Sequence, residues 1–110
     1  MIRSEFVIED NKIRSVSVVG HSGLAPSGSD VLCASVSAMT ELVMNTLLEI
    51  FSAELDIEIE EEIPRIHFSL HSVPSSQADA VQGVLRGFLL QMNDLAEIYS
   101  ENLTVTTKKK

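Results

Sequence analysis

Two long stripes of apolar residues at helical spacing constrain this chain most. Leu32, Val36, Met39, Val43, Leu47 and Ile50 recur every three or four positions, and so do Val81, Leu85, Phe88, Met92, Leu95 and Tyr99. The first stripe predicts a helix from about residue 31 to about 51. The second predicts a helix opened by Pro74 and Ser75-Ser76, on which Gly83 and Gly87 share one face and are expected to pack on the sheet or the first helix rather than at a dimer seam. Each helix needs a surface to cover its apolar face, and the rest of the chain supplies strands. Residues 2–8 alternate, with Ile2, Phe6 and Ile8 on one parity, and Ile13 to Val19 forms a second apolar-rich run. Asp10-Asn11 between them suits a tight hairpin, because both residues tolerate positive φ.

A second hairpin follows the first helix. Ile57 and Ile59 alternate with Asp56, Glu58 and Glu60; Glu61-Glu62-Ile63-Pro64 breaks the pattern; Ile66, Phe68 and Leu70 alternate with Arg65, His67, Ser69 and His71. This reads as a hairpin with one face buried. Leu103 and Val105 mark a short last strand. The predicted order is ββαββαβ: an α+β two-layer sandwich with a mainly antiparallel sheet and two long helices. One domain over residues 1–107 is expected, with Lys108-Lys109-Lys110 a disordered tail.

Charge and cysteine usage narrow the function. The formal net charge is −8, and without the three terminal lysines five basic residues face 16 acids. A nucleic-acid binder needs a basic footprint, so direct RNA or DNA binding is disfavoured. A basic protein or peptide would be steered favourably. No apolar run is expected to reach the roughly 20 residues that span a bilayer, and the N-terminus lacks a signal-peptide h-region, so no membrane partner is expected. One cysteine cannot form an intramolecular disulfide, which fits a reducing cytoplasm. No cofactor or metal is expected. His67 and His71 are four apart, but on a strand that places them roughly 13 Å apart.

The chemistry-bearing stretch is Gly20-His21-Ser22-Gly23, a loop with Pro26 and Gly28, then Ser29-Asp30-Val31-Leu32-Cys33-Ala34-Ser35-Val36-Ser37-Ala38. Ser29 or Asp30 can cap the first helix. Cys33 then falls in its first turn, where the backbone N–H dipoles converge. Helix N-termini and neighbouring imidazolium groups favour the thiolate, which is the nucleophile. His21 ends the preceding strand, 12 positions earlier, and the intervening loop can fold back to place an imidazole beside the sulfur. Ala34, Ser35 and Ser37 are small and leave room for a substrate backbone. Asp30 could cap the helix, orient His21, or do both.

Gly20-His21, the loop, and Asp30-Val31-Leu32-Cys33-Ala34-Ser35-Val36-Ser37-Ala38 resemble the signature of the ribosomal-processing cysteine protease (Prp) family. There the pattern is Gly-His, a flexible loop, then Asp-x-x-Cys-Ala-Ala-Val-Ser-Ala. Ser22 and Ser35 stand where the family has alanine; both are small and compatible with the chemistry. The resemblance implies a cytoplasmic, homodimeric cysteine endopeptidase that removes the N-terminal extension of a large-subunit ribosomal protein. It implies Cys33 as nucleophile, His21 as general base and acid, Asp30 and Ser37 in supporting roles, and a loop gate containing Gly20, Gly23 and Gly28. It also implies a ribosomal protein precursor as partner. The alternative is a non-catalytic acidic interaction module associated with ribosome assembly.

Overall fold

The computed structural model describes residues 1–21, 30–62 and 64–110. The chain runs β1 (Ile2–Glu9), β2 (Lys12–Val19), α1 (Val31–Asn45), a π-helical turn (Thr46–Ile50), β3 (Glu54–Glu60), β4 (Arg65–Ser72), a 3₁₀ turn (Ser75–Gln77), α2 (Ala78–Ile98) and β5 (Leu103–Lys109). The expected ββαββαβ order and α+β architecture hold. The five strands form one sheet in the order β3-β4-β2-β1-β5. The β1–β2, β2–β4 and β3–β4 pairs are antiparallel, and β1–β5 is parallel.

Local chemistry explains the first hairpin. Asp10 and Asn11 have φ of 52° and 64°, the left-handed pair that a type I′ turn requires. The register shifts at Val7/Ile8. Beside that bulge, Gln82 from α2 clamps Ile13: its Oε1 accepts from the Ile13 N–H at 2.8 Å, and its Nε2 donates to the Ile13 carbonyl at 3.0 Å. The clamp satisfies backbone groups that the shifted ladder serves poorly.

The core lies between the sheet and the helices. Ile2, Phe6, Val16, Phe68 and Leu103 from the strands join Leu32, Val36 and Leu47 from the first helix and Val81, Leu85, Phe88 and Met92 from α2. Phe6 meets Phe88 edge-to-face, with centroids 5.3 Å apart and planes at 66°, the favoured aromatic arrangement.

Four expectations need correction. Lys108–Lys110 is not a disordered tail: Lys108 and Lys109 pair with Val7 and Ile8, and the Lys110 N–H donates to the Ile8 carbonyl at 2.9 Å. Backbone pairing is indifferent to the lysine side chains, which remain exposed. The second hairpin does not bury one whole face: Ile57 and Ile59 are 39% and 60% exposed, although Phe68, the in-register partner of Ile57, is buried. Helix coverage stops near β4. Gly83 and Gly87, expected to pack on the sheet or first helix, are exposed, with nothing within 4 Å of an added Cβ. Finally, Val31–Ile50 is one helix long and apolar enough to cross a membrane by length and composition. Leu32, Val36, Val43, Met44 and Leu47 of this stretch are buried in the core, while Val31, Leu42 and Ile50 are exposed.

Candidate active site

Strand β2 is followed by Gly20, whose φ of 101° is disfavoured for residues with a side chain. A Cβ there would run into the Met1 carbonyl. The Gly20 N–H donates to the Pro64 carbonyl at 2.8 Å, tying the end of β2 to the turn before β4. His21 follows directly and is exposed.

Asp30 is 7% exposed and has extended backbone, φ −83° and ψ 101°, as an N-cap requires. Its Oδ1 accepts from the Cys33 N–H at 3.0 Å, and its carbonyl accepts from the Ala34 N–H at 3.1 Å. The carboxylate therefore fixes the turn that carries Cys33. Of the roles open for Asp30, capping is made by these bonds. Leu32 points into the core while Val31 is 72% exposed. This anchors the first turn and leaves half-buried Cys33 at the edge of the helix–sheet interface.

Gly20, His21, Asp30, Cys33 and Ser37 all line a single cleft of about 600 Å³. Ser37 is one turn beyond Cys33 on the same helix face. Gly23, Gly28 and Ser22 lie outside the described residues. A thiol and an imidazole on one cleft, with helix N–H groups at the thiol, are the groups that acyl transfer through a thioester uses.

The same cleft holds residues that the sequence did not place beside Cys33. Ile2 and Val18 lie on its sheet side, and Ile59, Glu60, Glu61, Pro64, Arg65 and Ile66 come from the second hairpin. One signal could have found them: Ile57 and Ile59 alternate as a core strand does, yet the sequence holds no third helical stripe to cover them. His67 and His71 stand apart on the polar face of the sheet. The Ser17 hydroxyl and His67 Nδ1 are 2.7 Å apart, and His71 Nδ1 is 3.5 Å from Asp56 Oδ2.

Comparison with known proteins fits this geometry. Residues 1–104 match the family model described as cysteine protease Prp. The chain is 28% identical over 109 residues to the ribosomal processing cysteine protease Prp of Staphylococcus aureus (strain Mu50 / ATCC 700699), covering 98% of this chain and 100% of the relative. It is 26% identical over 99 residues to that of Bacillus subtilis (strain 168), covering 89% and 88%. The crystal structure of the S. aureus protease with a covalently linked product peptide superposes with a TM-score of 0.87 at 25% identity, covering 98% of this chain and 100% of the other. A Streptococcus mutans structure superposes equally well, with a TM-score of 0.87 at 24% identity over 100% and 96% of the two chains, and so shares the fold. The chain belongs to the Prp family and is a cysteine protease.

Proposed function

We propose that this protease removes the N-terminal extension of a large-subunit ribosomal protein in the cytoplasm, working as a homodimer through a Cys33–His21 dyad. One observation carries the dyad: Cys33 sits in a capped first turn and lines the same cleft as His21. The substrate reading draws support from the relatives, named ribosomal processing proteases, and from the product peptide held by the S. aureus protein. The net charge of −8 suits a basic substrate.

In this mechanism Cys33 passes its thiol proton to His21 and its Sγ attacks the scissile carbonyl, while N–H groups at the start of α1 that the Asp30 cap leaves over donate to the developing oxyanion. His21 gives its proton to the leaving amine. Water, activated by His21, then attacks the thioester carbonyl and releases the carboxylic acid and the thiol. Asp30 holds the Cys33 backbone through its cap, and Ser37 borders the approach.

The test incubates the protein with N-terminal peptides of its own organism's ribosomal proteins and reads the products by mass spectrometry. A single cut releasing a short N-terminal fragment is expected. Cys33→Ala and Cys33→Ser should each lower kcat by at least about a thousandfold while keeping the fold. Wild-type turnover in Cys33→Ala would overturn Cys33 as nucleophile.

A further inference from the structure

The cleft does not stop at the helix. Ile59 pairs with Ile66, and Ile66 pairs with Val18. These three form an apolar row across β3, β4 and β2, about 10 Å long at the usual strand spacing, and all three line the cleft with Cys33. The row ends at β3, which is the outer strand of the sheet. On its helix-side face, Ile57 and Ile59 are exposed. On its other face stand Asp56, Glu58 and Glu60, and the turn adds Glu61 and Glu62. Arg65 pairs with Glu58 at 3.1 Å and Glu60 at 3.5 Å, so one guanidinium faces a larger acidic group. Glu60 and Glu61 themselves line the cleft.

We propose that β3 receives the substrate as an added strand, continuous with the segment that reaches Cys33. The inference rests on the endopeptidase reading and names its substrate class: an extended segment in which apolar and basic residues alternate. Strand addition satisfies the backbone groups along the outer edge of β3, while alternate side chains supply selectivity. The apolar set covers Ile57 and Ile59. The basic set, on the opposite face, meets Glu58 and Glu60 as cross-strand partners. Three features select this occupant: apolar residues exposed on an edge strand, an acidic face opposite them, and continuity of both with the cleft. The competing role for the acids is to guard an exposed edge against self-association.

The test uses the full chain and the N-terminal peptide cleaved in the preceding experiment, made also with its lysines and arginines replaced by glutamine. At low salt the replacement should lower kcat/KM about tenfold, and the gap should close by about 0.5 M salt as screening removes the attraction. Ile57→Ser/Ile59→Ser should raise KM severalfold with kcat nearly unchanged. Glu58→Lys/Glu60→Lys should make the neutral peptide the better substrate; Glu58→Gln/Glu60→Gln gives the same direction more weakly and avoids placing lysines beside Arg65. Cleavage with wild-type KM by both the isoleucine and the glutamine variants would overturn strand addition, assign the acids to edge protection, and leave the endopeptidase reading standing. Failure of the wild-type protein to cut any of the ribosomal peptides would overturn both readings.

Discussion

The two hairpins carry similar alternating patterns and end in opposite circumstances. In β1–β2, Ile2, Phe6, Ile13 and Val16 are each at most 3% exposed. In β3–β4, Phe68 is buried but Ile57 and Ile59 remain open to solvent. The difference lies in position. β1 and β2 are inner strands beneath both helices, and α2 grips them through Gln82 at Ile13 and through Arg86, whose Nη2 donates to the Asn11 carbonyl at 3.1 Å. β3 lies at the margin, beyond the reach of two helices. Alternation therefore reports which face of a strand is apolar. Whether that face finds a cover depends on the width of the second layer.

Mutations can break or sharpen this contrast. The largest effect is expected at the closed hairpin: Phe6→Ala removes a fully buried ring and its contact with Phe88, costing about 3–5 kcal/mol by denaturant unfolding. A smaller loss is expected at its turn, where Asn11→Val forces a β-branched residue into positive φ at about 1–2 kcal/mol. The smallest is expected at the open hairpin, where Ile57→Ser and Ile59→Ser should each change stability by no more than about 0.5 kcal/mol. A loss at Ile57 or Ile59 approaching that of Phe6→Ala would show that β3 is covered in solution and would erase the contrast.

Much of the framework was legible because local chemistry determined it. Asp10-Asn11 announced its turn through backbone preference, and Asp30 announced its cap three residues before the N–H it accepts. The gathering of His21, Asp30, Cys33 and Ser37 on one cleft followed from a strand end, a loop and a helix start, all close in sequence. What was not legible depended on distant partners. The lysines at the C-terminal end read as a solvated tail because their strand is defined by backbone pairing with β1, about a hundred residues earlier. Ile59 read as part of a buried strand face, Glu60 as part of an exposed acidic face and Glu61 as part of the turn, since nothing local links them to Cys33 some 26 positions before. Gly83 and Gly87 suggested close packing, whereas helix α2 turns them outward.

The parallel pairing of β5 with β1 has a consequence for the order of assembly. Ile2, a wall of the cleft, donates its N–H to the Asn102 carbonyl at 2.9 Å and pairs with Leu103. As the chain emerges from the ribosome, the first strand must wait for the last before its outer side is satisfied. Contacts of such long sequence separation form late and slowly. One wall of the cleft is thus held by a strand made about a hundred residues later, so a nascent chain already carrying both His21 and Cys33 lacks the finished cleft until synthesis has passed β5.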